Sequence, residues 1–339
     1  MRHADACHAP QPVEIGSKTP ALMMPSERMG LPGVQSMLPR LLLLLLLAAC
    51  AVPDVAPPPE EPVAAGGPLG QPQGRWRDQM HRVPMLAANG QRRFILMRFC
   101  RPEGDAPAPL VLVNHGAPVD RGSLPGMVAT RCDAEAVRWF LQHGFAVGVP
   151  LRRGFGASRG VYVESLGRCD QADPVNSAEE AARDMRAALD HARTLPGVDP
   201  ARPVVVVGQS AGGWGNLALA SHNPPGVGAF VNMAAGRGGW SQGRPNTVCR
   251  PDLLVSAAGT FGARARVPAL FVYTENDSFF GPALAARLVA AYTEAGAPAE
   301  LKQLGPWGRD GHGLFFGQFG SDTWGPVVED YLRRQGAMP

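Results

Sequence analysis

Five residues set the chemistry open to this chain. Gly208-Gln209-Ser210-Ala211-Gly212 fits the pattern G-x-S-x-G. A serine hydroxyl becomes a nucleophile when a base can take its proton. A sharp turn that lifts it clear needs small flanks, because a side chain at Gly208 or Gly212 would strike the adjoining strand and helix. The turn also leaves the Ala211 N–H at a helix N-terminus, aimed at developing negative charge. The competing reading is a glycine-rich turn whose serine only caps a helix. The flanks favour chemistry. Val204-Val205-Val206-Val207 reads as a strand buried on both faces, and Trp214 to Ala220 reads as helix. Strand, sharp turn and helix together make the pentapeptide a nucleophile elbow.

The base and its acid follow the serine in this arrangement, acid first. After Ser210 the chain has two histidines, His222 and His312. His222 lies down the helix that starts at the elbow and points away. His312, in Gly311-His312-Gly313, sits in a loop that can reach the serine, so it is the expected base; the alternative is an exposed loop histidine. The acid should stand just beyond the strand Leu270 to Thr274. Asp277 is preferred, because the turn must leave the strand before a carboxylate can face the histidine. Glu275 is the alternative acid. Asp277 could also be a simple turn carboxylate ahead of Pro282. Asp310, two residues before His312, is poorly placed to orient its ring. The second oxyanion donor should follow Val113, where Gly116 allows close approach and the Ala117 N–H is the candidate. His115 reads as structural, since it precedes the serine.

Other elements must bring these residues together. A hairpin spans 79–99 with its turn at Ala88-Asn89-Gly90. Strands are expected at 110–113, 145–149, 204–207, 229–233, 270–274 and 299–303. Helices are expected at 134–143, 177–195, 282–295 and 324–335, the second with a Ser177/Glu180 capping box. Alternating strands and helices imply an α/β fold with a mostly parallel sheet covered on both faces. The stretch 234–267 is too short for a large cap domain, so loops should roof the pocket, from 117–130, 151–175 and 234–262. Trp240, Phe261, Phe279, Phe280 and Trp307 line an acyl site or are core and rim aromatics. Arg152 and Arg153, after the 145–149 strand, could hold a substrate carboxylate or pair with Glu164 or Asp170.

Composition narrows the class. The 339 residues are 45% hydrophobic and 18% charged, with a formal net charge of +3. That suits a globular domain with appendages. Lys18 and Lys302 are the only lysines, and no basic run is interleaved with aromatics, so no nucleic-acid partner is expected. No zinc-type Cys/His spacing and no fixed repeat is present. The serine chemistry calls for no metal and no cofactor.

The N-terminal text is different. Residues 1–36 lack periodicity and read as disordered or as a mis-assigned start, with Met29 and Met37 as candidate starts. Arg40, then Leu41 to Leu47, then Ala48-Ala49-Cys50 make a secretory signal over 37–49, too short for a permanent span. Leu47-Ala48-Ala49-Cys50 resembles the lipobox of bacterial lipoproteins. That implies cleavage before Cys50, lipidation of its thiol and a membrane partner; ordinary secretion with an incidental Cys50 is the alternative. Alanine at 51 implies, by the same resemblance, the outer membrane as destination, facing the periplasm or the cell surface. Residues 50–74, rich in Pro, Ala and Gly, read as a tether, and 75–339 as one catalytic domain. Export leaves Cys100, Cys132, Cys169 and Cys249 as an even set for two disulfides. The favoured pairing is Cys100 with Cys132 and Cys169 with Cys249; free buried thiols are the alternative.

The elbow Gly208–Gly212, His115-Gly116, Asp277 and His312 together resemble the α/β-hydrolase family over roughly 90–335. The cap-less layout is similar to dienelactone-hydrolase-like proteins and to the catalytic domains of the prolyl-oligopeptidase group. The cysteine-nucleophile dienelactone hydrolases have Cys where this chain has Ser210. The resemblance implies hydrolysis of a carboxylic ester through an acyl-enzyme, with a small ester or short peptide-like substrate. A peptidase or amidase, an acyltransferase and a catalytically dead binding module are the alternatives.

Overall fold

The computed structural model describes residues 66–339. The expectations for 1–36, for the signal at 37–49 and for Cys50 lie outside the described residues.

The described residues build one sheet from β1 (Gly67–Gln73), β2 (Asp78–Leu86), β3 (Arg92–Cys100), β4 (Leu110–Asn114), β5 (Ala146–Leu151), β6 (Val204–Gln209), β7 (Val227–Met233), β8 (Ala269–Thr274) and β9 (Ala299–Leu304). Their spatial order is β1-β2-β3-β5-β4-β6-β7-β8-β9. β1, β2, β3 and β5 pair antiparallel; from β5 through β4 to β9 every pairing is parallel.

Side-chain alternation divides the central strands between two cores. Leu110, Leu112, Val204 and Val206 face α2 (Pro174–Ala192), α3 (Ala211–Ser221), α4 (Pro251–Gly262) and α5 (Pro282–Glu294). Val111, Val113, Val205 and Val207 face α1 (Glu135–Gln142) and α6 (Ser321–Arg334). Both faces are covered, so these strands carry no polar residue before their ends. Each fully buried valine contributes roughly 1.5–3 kcal/mol. The elbow helix α3 is buried all round, every residue from Ala211 to Ser221 included. It lies so close to α2 that a Cβ at Gly215 would stand 2.8 Å from that of Ala181.

Three expectations need correction. The tether does not run to 74: Gly67 to Gln73 pair with β2 as an exposed edge strand. Helix α2 begins at Pro174, three residues before Ser177. Asp173 caps it by accepting the Asn176 N–H at 2.9 Å, with proline preset at the first helical position. The Ser177 hydroxyl instead donates to the Glu164 carbonyl at 2.7 Å, and Glu180 binds Arg153. Within 234–267 lies α4, which packs against α3 and α5 on the sheet rather than over the pocket.

One histidine pair predicts acid sensitivity. His81 on β2 is 3% exposed, its Nδ1 is 3.2 Å from His191 Nε2 on α2, and its Nε2 has no partner among the described residues. Burial, reinforced by His191, pushes the His81 imidazole down from 6.5 to about 4. The unfolded chain therefore binds this proton first, and the stability linked to neutral His81 is lost as pH falls from 6.5 towards 4. The His81→Leu variant lacks that loss. Melting temperatures measured across this window should move in the variant's favour, relative to wild type, as pH falls. A constant difference would contradict this assignment.

Candidate active site

Parallel strands bring their C-terminal ends to one edge of the sheet, and that edge collects the candidate residues. β4 leads to His115 and Ala117, β5 to Arg152, β6 to Ser210, β7 to Arg237, β8 to Asp277, and His312 follows β9.

Ser210 sits between β6 and α3 with φ 54° and ψ −119°, a strained conformation for a non-glycine residue. The space around it is closed by backbone. A Cβ at Gly208 would stand 2.5 Å from the Gly212 carbonyl, and one at Gly212 would stand 2.5 Å from the Asn114 carbonyl oxygen. The Ser210 side chain makes no capping hydrogen bond to α3. The capping alternative therefore has no contact to support it.

His312 Nε2 lies 3.0 Å from Ser210 Oγ. Its Nδ1 lies 3.0 and 3.2 Å from the two carboxylate oxygens of Asp277. Ser210, His312 and Asp277 are all buried. Asp277 Oδ1 also accepts the Phe279 and Phe280 N–H groups at 2.8 and 3.0 Å. It is thus a turn carboxylate and the partner of the histidine together. Glu275 is exposed, and the hydrogen bonds of the His312 Nδ1 go to Asp277 instead. Phe279 stacks on the imidazole at 3.8 Å between ring centroids. His222 pairs with Glu179 away from the site.

Several further residues fix the histidine loop. Gln209 Nε2 donates to the His312 carbonyl at 3.0 Å. Asp310 accepts from the His312 N–H at 3.0 Å and from the Ser278 hydroxyl at 2.6 Å. Asp310 therefore positions the backbone of His312, while Asp277 faces the ring. Asn276 holds both edges of Trp307's peptide, accepting its N–H at 2.9 Å and donating to its carbonyl at 3.1 Å. Beneath the elbow, Asn114, Asn216 and Asn232 form a buried chain of amides with 3.1 Å links.

His115 is structural. Burial and nearby Arg152 hold it well below the usual imidazole range, so it is neutral. Its Nδ1–H donates to the Gly116 carbonyl at 2.6 Å and its Nε2 accepts the Arg152 N–H at 3.2 Å. Ala117 and Ala211 both line the cavity beside Ser210, and neither N–H has an acceptor among the described residues.

The arginines after β5 are not substrate ligands in this geometry. Arg152 is fully buried and grips Glu164 through Nε and Nη2. Arg153 is held by Asp184 at 2.6 Å and Glu180 at 2.8 Å. These pairs brace the 152–164 loop against α2, and Asp170 pairs with Arg168 instead. The cations that line the cavity are Arg237, in the glycine-rich loop after β7, and Arg121.

The cavity beside Ser210 holds about 340 Å³. Trp240, Phe279 and Phe280 line it, whereas Phe261 is core and Trp307 packs beside the α6 core. Cys169 and Cys249 are bonded and line the same cavity, joining the 162–171 loop to the 236–250 loop. Cys100 and Cys132 form the second bridge. Such cross-links restrict the unfolded chain, by about 3 kcal/mol for loops of moderate length.

No family model matches the sequence, and no curated protein does. Solved structures do. An acetyl xylan esterase from Paenibacillus sp. R4 is similar with a TM-score of 0.53 at 17% identity, covering 82% of this chain and 90% of that one. An esterase of Pyrococcus furiosus is similar with a TM-score of 0.50 at 13% identity, over 76% of this chain and 93% of that one. The acylaminoacyl peptidase of Pyrococcus horikoshii gives 0.53 at 12% identity, over 78% of this chain. The fold is that of the α/β-hydrolases. The chain matches only 42% of the peptidase's length. In this α/β-hydrolase fold, no described helix is long and apolar enough to cross a membrane.

Proposed function

We propose that this protein is an exported serine hydrolase that cleaves a carboxylic ester through an acyl-enzyme. The observation that carries the reading is the hydrogen-bonded series Ser210 Oγ, His312, Asp277, with links of 3.0 Å on either side of the imidazole. Ser210 Oγ attacks the ester carbonyl as His312 Nε2 takes its proton. Asp277 holds the Nδ1–H tautomer and stabilises the imidazolium that forms. The Ala211 and Ala117 N–H groups receive the developing oxyanion, a contact stronger in the transition state than in the ground state. His312 then protonates the leaving alcohol, and water repeats the sequence on the acyl-enzyme.

Export is supported by the two disulfides, which persist in oxidising compartments. We propose cleavage of the 37–49 signal, lipidation at Cys50 and a tether ending where β1 begins at Gly67.

The substrate class is tested with matched acyl esters and amides, with products followed in the presence and absence of an alcohol acceptor. Ester turnover to free acid should exceed amide turnover by about a hundredfold or more, since Ser-His general acid–base assistance is least demanding for a good leaving group. Amide cleavage at equal or higher rate would make the protein a peptidase. Acyl transfer in place of acid release would make it an acyltransferase.

A further inference from the structure

We infer that the substrate of this site carries a carboxylate, held by Arg237 with Arg121 at the rim; this rests on Ser210 being the nucleophile. Among the described residues, the lining of the cavity includes two cations, Arg121 and Arg237, and no Asp or Glu. Arg237 is 7% exposed. Its Nη2 donates to the Tyr162 hydroxyl and, at 2.5 Å, to the Glu164 carbonyl oxygen. Its Nε and Nη1 have no acceptor among the described residues, and both keep open surface. A nearly buried guanidinium with open N–H groups in a cavity favours an anion over water, because a charge-assisted hydrogen bond strengthens as the site loses solvent.

The neighbouring carboxylate does not remove that preference. Glu164 Oε2 is 3.9 Å from Arg237, but both its oxygens are gripped by Arg152. Arg121 reaches only the Ser165 hydroxyl, at 2.6 Å, and forms no salt bridge with a described carboxylate. Both guanidiniums lie against the Tyr162 ring, at 5.6 and 5.8 Å from its centroid. The cations therefore share one patch of the cavity. That patch is tied to the nucleophile through the backbone: the Gly236 N–H donates to the Ser210 carbonyl at 3.2 Å. Arg237 is the next residue, and its bonds to the Tyr162 hydroxyl and the Glu164 carbonyl hold its guanidinium in place.

Two aryl phosphonates test this, identical except at the end of a short alkyl chain. One ends in a carboxylate, the other in its N-methyl amide. Each reacts by the same step: Ser210 Oγ bonds to phosphorus, the aryloxide leaves with its electron pair, and His312 takes the serine proton. With the full-length chain, the carboxylate form should inactivate about tenfold faster than the amide. The ratio should fall to about one in Arg237→Gln and stay at the wild-type value in Arg92→Gln, an exposed position on β3. If Arg237→Gln does not fold, Arg121→Gln serves, with a partial fall in the ratio expected. Equal rates, a faster amide, or a preference that survives the substitution would overturn the inference while leaving the nucleophile in place. Absence of adduct on Ser210 from either compound would instead overturn the reading beneath it.

Discussion

Replacing Ser210 with alanine is expected to lower ester turnover by at least about ten-thousandfold and leave the fold intact. The size of the loss follows from the role: without Oγ no acyl-enzyme forms, and only the oxyanion donors remain. The intact fold follows from the contacts. Ser210 caps nothing on α3, and among the described residues its hydroxyl bonds only to His312. Alanine at 210 keeps the backbone links to Met233 and Gly236. Circular dichroism and thermal unfolding would show a near wild-type protein. Turnover that persists in Ser210→Ala would remove the serine from the chemistry.

The Asp277→Asn variant should lose about a thousandfold to ten-thousandfold in kcat. Asparagine preserves an oxygen for the Phe279 and Phe280 N–H groups, so the turn can survive. It replaces the carboxylate facing Nδ1 with a group that can donate, which favours the tautomer carrying its proton on Nε2. That histidine cannot accept from Ser210. Glu275→Gln should change little, since Glu275 is exposed and its backbone N–H is bound by the Leu304 carbonyl. Kinetics of the two variants side by side separate the acids. An equal loss in both, or a loss confined to Glu275→Gln, would contradict the assignment to Asp277.

How much was legible in advance depended on range. The elbow was legible because its requirements are local: a buried strand, small flanks and a helix, all within a dozen residues. The order serine, acid, histidine then left few residues to choose from. Side-chain direction was not legible. Arg152 and Arg153 stand at the correct sheet edge, where a substrate carboxylate and a brace to Glu164 or Asp170 were equal candidates; Glu164 takes Arg152, and Asp184 on α2, which no spacing announces, takes Arg153. Arg237 carried no signal, lying among Gly236, Gly238 and Gly239 in a loop whose path only the fold defines. Gln209, Asn276 and Asp310 act largely through backbone groups of the histidine loop, contacts that no spacing announces. The capping box at Ser177 was outcompeted by Asp173-Pro174, whose proline fixes the start of α2. The edge strand β1 is hidden in Gly-Pro-Leu-Gly-Gln-Pro-Gln, which has no alternation to read. It is exposed, so nothing selects for one.

The most direct test of the central claim is labelling of the full-length protein with a fluorophosphonate, followed by peptide mapping of the adduct. A single adduct on Ser210 is expected, lost in His312→Ala, because the serine is reactive only when Nε2 can take its proton. No adduct on a folded protein, or an adduct that survives His312→Ala at the wild-type rate, would contradict it.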